Sequence, residues 1–196
     1  MKLKLDDVKE EDKGILAPCG IICLGCDTHI GEGLDAAKNL KEIWETSNLR
    51  DAGIAIGLDL KEINTTLETI SKYIEKSGRG GCPGCFKGGF ASQFCGIAKC
   101  VNSKVYFTCA ECDDYDPMAE NPCPNEDPNP VPMANRAQMT KMICMRYNKD
   151  TCNNLKKCRE MGYKAFIKEA KEKVENGWRT WKVISDEMVF TEAMKK

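Results

Sequence analysis

Histidine occurs once in these 196 residues, at His29, and no stretch approaches the run of about 20 apolar residues that a membrane span needs. The first scarcity leaves little material for the common histidine-based acid–base designs. No phosphate-cradling loop and no recognisable Ser/His/Asp arrangement stands out either, so no catalytic residue is assigned. Leucine is missing from residue 68 to residue 154. The opening residues, MKLKLDDVKEEDKG, are charged and hold no apolar run, so the expected setting is soluble and cytoplasmic, with no membrane partner. What the chain has in quantity is cysteine. Thirteen thiols in a reducing compartment, an odd number, do not read as a disulfide framework. Metal binding is the leading explanation.

Charge is nearly balanced over the whole but not along the chain. Residues 1–133 carry 14 Lys/Arg against 22 Asp/Glu, and residues 134–196 carry 15 against 8. Such asymmetry marks either two halves that attract each other or a basic surface for an acidic partner.

Leu34, Ala37, Leu40, Ile43 and Trp44 recur at helical spacing within residues 34–47, and Leu60, Ile63, Leu67, Ile70 and Ile74 do so within 59–76. Asp59 is placed to cap the second helix and Gly78 to end it. Both stripes are expected to form core. Residues 80–125 hold seven cysteines and only ten large apolar or aromatic residues, too few to order the stretch by burial alone, whereas a structural zinc site contributes on the order of 10–16 kcal/mol. KVYFTC, residues 104–109, is the one strand signal there. Residues 113–133 contain six of the eight prolines and read as an extended loop. Helices are expected again at 134–148, 152–161 and 163–176, the last with an apolar stripe of Phe166, Ile167, Ala170 and Val174. Trp178 and Trp181 follow as anchors for the C-terminal arm. The expected fold is therefore α+β, mainly α: a helical scaffold with a metal-stabilised module of loops and short strands. A cysteine-rich domain would cover 15–133, with a basic helical extension at 134–196 packed on it.

Two CxxC pairs, Cys82/Cys85 and Cys109/Cys112, have the spacing that lets both thiolates of a tight turn face one ion, and four such thiolates satisfy tetrahedral zinc. The 23 residues between them slightly exceed the usual ribbon spacing. Cys19, Cys23, Cys26, Cys95, Cys100 and Cys123 could supply a second site, and a pairing of Cys82 and Cys85 with Cys95 and Cys100 is equally open. His29, three residues beyond Cys26, is a possible substitute ligand. Cys144, Cys152 and Cys158 sit at gaps that fit no ligand knuckle and read as small buried hydrophobes.

CGIICLGC, residues 19–26, has the CxxxCxxC spacing that resembles the cluster motif of radical S-adenosylmethionine enzymes. Gly25 stands where those enzymes usually carry an aromatic residue, and helices rather than a barrel pattern follow. The order CGIICLGC, CPGC, CGIAKC, CAEC and Pro-Cys, over residues 17–124, resembles instead a cysteine-rich family of small bacterial and archaeal proteins of unknown function. That resemblance implies zinc binding without an assigned activity. It singles out Cys19, Cys23, Cys26, Cys82, Cys85, Cys95, Cys100, Cys109, Cys112 and Cys123.

The leading expectation is thus a cytoplasmic zinc-binding protein whose metal is structural and whose task is interaction with a protein partner. An iron–sulfur or thiol-redox protein is the alternative. A third reading, nucleic-acid binding, needs Lys156, Lys157, Arg159, Lys164, Lys168 and Lys171 on one face.

Overall fold

The computed structural model describes residues 2–76, 80–89, 92, 95–116, 123 and 151–183. Gly78, Cys144, the helix expected at 134–148 and most of the proline-rich stretch lie outside the described residues. The chain divides into two units: unit 1 joins residues 1–29 to 82–196, and unit 2 is the intervening Ile30–Gly81.

Seven α-helices occur among the described residues, and no strand does: α1 (Asp27–Ile30), α2 (Glu32–Thr46), α3 (Leu49–Ala55), α4 (Leu60–Lys76), α5 (Gly96–Ser103), α6 (Thr151–Met161) and α7 (Tyr163–Glu175). The expected α+β class is therefore corrected to a helical one, and KVYFTC explains why. Val105 takes a left-handed backbone conformation (φ +56°) just past α5, and the Tyr106 amide turns back to the Val101 carbonyl at 3.0 Å. The amides of Phe107 and Thr108, which a strand would pair across a ladder, both donate to the Glu111 carboxylate. Local side-chain acceptors have replaced a neighbouring strand. The only β pairing described is an isolated bridge between Leu16 and Ile22.

Unit 1 holds the core. Leu16, Ile22, Ile97, Val101, Phe107, Leu155, Tyr163 and Phe166 are essentially sealed from solvent, each contributing roughly 1.5–3 kcal/mol by burial. Phe107 meets Phe86 and Tyr163 edge-on, with ring centroids 4.9 and 5.1 Å apart. α6 packs on α7 and on the 3-10 turn Cys109–Glu111, while α7 packs on the 3-10 turn Cys23–Gly25. Phe166, Ile167 and Ala170 are buried as their spacing requires, and Val174 is half-buried against the same core. Lys171 ties α7 to Asp12 at 2.7 Å.

Unit 2 packs α2, α3 and α4 on one another. Asp59 caps α4, its Oδ1 accepting from the amides of Lys61 (2.7 Å) and Glu62 (3.2 Å). The helices lie where the periodicity places them, but of the two stripes only Ile63 is fully buried, Leu34, Trp44, Leu67, Ile70 and Ile74 being half-buried and Leu40, Ile43 and Leu60 exposed. Ile63 is the one large apolar side chain buried in this unit among the described residues, while Leu40, Ile43, Ile54, Ile56, Leu58 and Leu60 are exposed.

Candidate metal centre

The CLGC turn is a single 3-10 turn, closed by the Cys26 amide on the Cys23 carbonyl at 2.9 Å. Gly25 is required there by a close approach. A Cβ on it would stand 2.5 Å from the Trp178 ring of the C-terminal arm, so only glycine leaves room for that ring. Thr180 Oγ1 adds a hydrogen bond to the Gly25 carbonyl at 3.3 Å. The CPGC turn depends on Gly84, whose φ of +93° favours glycine and whose Cα faces the Gly14 backbone too closely for a side chain. Cys82 Sγ lies against Gly89, where a Cβ would come within 2.5 Å of the sulfur.

These two turns face each other. Cys23, Cys26, Cys82 and Cys85 line one cavity of about 50 Å3, with His29 on its wall. The Cys82 amide donates to the Thr28 carbonyl at 3.3 Å. The Cys82 carbonyl in turn takes a hydrogen bond from His29 Nδ1 at 2.5 Å. Because a carbonyl only accepts, Nδ1 carries the proton of this bond. Cys109 and Cys112 are not among the residues lining this cavity.

The Cys23 thiol is hydrogen-bonded to Cys85, and their proton affinities separate accordingly. That contact, with burial added, pushes Cys23 well above the usual thiol range, and it draws Cys85 below that range against the opposing effect of burial. Cys95 is pushed up to about 11 by burial first, and by the nearby Cys19 second. Cys19 also acts on Cys23, and Cys85 on Cys95. Four of the ten cysteines singled out from the sequence thus line one cavity. Among the described residues, no group of three or more His, Cys, Asp or Glu side chains is placed to hold a metal ion.

The remaining thiols have other surroundings. Cys109 and Cys123 are buried and Cys100 is half-buried. Cys112 Sγ accepts from Lys104 Nζ at 3.3 Å, which holds that ammonium above its ordinary range. Lys104 also reaches Asp114 at 3.3 Å. The CAEC turn is clamped from below: Arg159 donates to the carbonyls of Ala110, Cys112 and Tyr115 at 2.9, 2.8 and 2.6 Å, and the Tyr163 hydroxyl donates to Glu111 at 2.8 Å. Sequence reasoning missed Arg159 and Tyr163 as supports of this turn, since nothing in their local spacing ties them to residues some 50 positions earlier. Cys158 is fully buried, as a plain hydrophobe should be, whereas Cys152 is half-buried and takes the Tyr115 hydroxyl at 3.7 Å.

Of the six basic residues considered for nucleic acid, Arg159 is spent on those carbonyls, and Lys156, Lys157, Lys168 and Lys171 pair with Glu160, Glu169, Glu172 and Asp12. A wider groove of about 750 Å3 lies in unit 2, but its lining mixes Lys41, Arg50 and Lys72 with Glu45, Glu68 and Glu75 and holds no cysteine. No helix among the described residues is long and apolar enough to cross a membrane.

No curated protein and no solved structure matches the chain. A family model does, over residues 15–122, a span that runs from just before the CGIICLGC segment to Pro122, the residue before Cys123. The chain belongs to the family described as "Protein of unknown function (DUF3795)".

Proposed function

We propose that the protein binds zinc through the Cys23–Cys26 and Cys82–Cys85 turns, that the ion is structural, and that the module it folds serves interaction with another protein. The observation that carries this reading is the pair of Cys-x-Gly-Cys turns facing each other across one small cavity. Four thiolates would complete a tetrahedral zinc site with no open position for a substrate, and the two turns must draw together to do so, because among the described residues no three donors are placed to hold an ion as they stand. The hydrogen bond from His29 Nδ1 to the Cys82 carbonyl serves as an outer-shell restraint on the CPGC turn. Zinc held by these turns would take Cys23, Cys26, Cys82 and Cys85 as thiolates, their protons going to solvent. The interaction task is supported by unit 2, where six large apolar side chains between Leu40 and Leu60 stay exposed. Metal analysis of anaerobically purified protein tests the reading: at least one zinc per chain is expected, and less than about one with no iron overturns it.

A second reading rests on the Cys23–Cys85 contact itself. A thiol that shares its proton with a lower-pKa neighbour is arranged for thiol–disulfide exchange. Oxidised glutathione would convert the two thiols to a disulfide while being reduced to two glutathione molecules. Metal-free protein would then lose two hydrogens between Cys23 and Cys85, seen by peptide mass. Zinc protein that resists this oxidation favours the structural reading.

A further inference from the structure

We propose that Cys112, Lys104 and Asp114 form a second thiol site, apart from the cavity described above, at which a small hydroperoxide oxidises the Cys112 sulfur to a sulfenic acid. Three contacts define the site. Lys104 Nζ donates to Cys112 Sγ at 3.3 Å and reaches Asp114 Oδ2 at 3.3 Å. That same Oδ2 lies 3.9 Å from the sulfur, as acceptor for the thiol proton. The sulfur therefore has an anion beside it to take up its proton and a cation to hold the charge left behind, the pair of neighbours that activates a nucleophilic thiol. None of the three residues lines the cavity of Cys23, Cys26, Cys82 and Cys85, so the zinc reading and this one stand independently.

Burial selects the oxidant. Cys112 is 3% exposed, whereas the side chains of Lys104 and Asp114 are 34% and 59% exposed. The sulfur is thus reached past its two charged neighbours, by a molecule of a few atoms and not by a bulky disulfide such as oxidised glutathione. Hydrogen peroxide has the matching chemistry as well as the size: its oxygens accept from an ammonium and its hydrogens donate to a carboxylate. The turn that carries the sulfur is held in place, with the Cys112 amide on the Cys109 carbonyl at 3.0 Å and Arg159 on the Cys112 carbonyl at 2.8 Å. In the step itself the sulfur attacks one peroxide oxygen, so that an S–O bond forms and the O–O bond breaks. The departing hydroxide receives the thiol proton and leaves as water. Sulfur gives up two electrons and the peroxide takes them. Lys104 remains an ammonium throughout and offsets negative charge, first on the sulfur and then on the departing oxygen.

The test follows single cysteines by peptide mass in the full chain, purified under reducing conditions and then treated with hydrogen peroxide. Oxidation at Cys112 is read as a gain of one oxygen, or as a disulfide where the Cys109 thiol displaces water from the sulfenic acid. In the wild type Cys112 should be oxidised at least about tenfold faster than Cys158, which is fully buried in α6. A Cys112 rate no greater than that of Cys158 overturns the proposal. Lys104→Met should slow Cys112 by at least about fivefold while leaving the rate at Cys152 unchanged, and Lys104→Arg, which keeps the positive charge, should restore most of the loss. Equal rates in Lys104→Met and the wild type overturn the proposal, and so does an arginine variant as slow as the methionine one. Should Lys104→Met fail to fold, the comparison of Cys112 with Cys158 in the wild type still decides.

Discussion

Burial alone explains the place of Cys158 in the molecule. Burial in α6 pushes its thiol up to about 12, with no partner needed to explain its place in the core. In the unfolded chain it titrates near 9. Because the folded pKa is the higher one, the stabilising effect is fully present below pH 9 and is lost as pH rises toward 12, where the unfolded state has given up a proton that the folded state still holds. The slope attributable to this one thiol is at most about 1.4 kcal/mol per pH unit. Denaturant unfolding at pH 8, 9 and 10 on the wild type and on Cys158→Ala should separate it from other groups. The variant should lose about 1–2 kcal/mol at pH 8 through the missing side chain, but its stability should fall less steeply above pH 9. Parallel curves would mean that Cys158 does not carry the alkaline sensitivity.

At the scale of elements, four of the seven described helices were legible because each carries its own apolar periodicity, whereas the short α1, α3 and α5 were not. α2, α4, α6 and α7 lie within a residue or two of the spans read from apolar spacing. What was not legible is pairing across sequence distance. The CPGC turn faces CLGC, 56 residues earlier, and not CAEC, because spacing rules for metal knuckles assume that the two halves are joined by a short ribbon. Here a whole helical unit is inserted between them. The strand signal at 104–109 failed for a similar reason: β-branched and aromatic residues mark a segment able to extend, but only a partner edge makes it a strand, and Glu111 took the amides instead. Gly25 was likewise legible as an anomaly but not as a contact. Its role is to admit the Trp178 ring, which also lies under Lys173 Nζ at 4.6 Å. Gly25→Ala should therefore cost roughly 1–3 kcal/mol by overpacking, and the double variant Gly25→Ala/Trp178→Leu should be more stable than the sum of the two single losses. Additivity to within about 0.5 kcal/mol would show that the two positions do not press on one another.

Over the whole molecule, chemistry and exposure are divided between the two units. All thirteen cysteines fall within the sequence of unit 1, together with the large buried core, and none falls within Ile30–Gly81. Unit 2 has one buried large apolar side chain among its described residues and six exposed ones, so its helices are held chiefly by their contacts with each other. Local opening free energy scales with buried apolar contact, which makes unit 2 the more readily opened part even with zinc bound. The structural ion proposed for unit 1 would have a region-specific signature. Peptide-level hydrogen exchange of the zinc protein should show slow exchange in α5, α6 and α7 and faster exchange in α2, α3 and α4. A strong zinc chelator under reducing conditions should raise the rates in α5–α7 and in the cysteine turns by at least about tenfold, because the binding free energy of such an ion is also folding free energy. Residues 32–76 should change little. An equal response in both units would show that the ion stabilises the chain as one cooperative block, and no response in either would remove the structural role assigned to it.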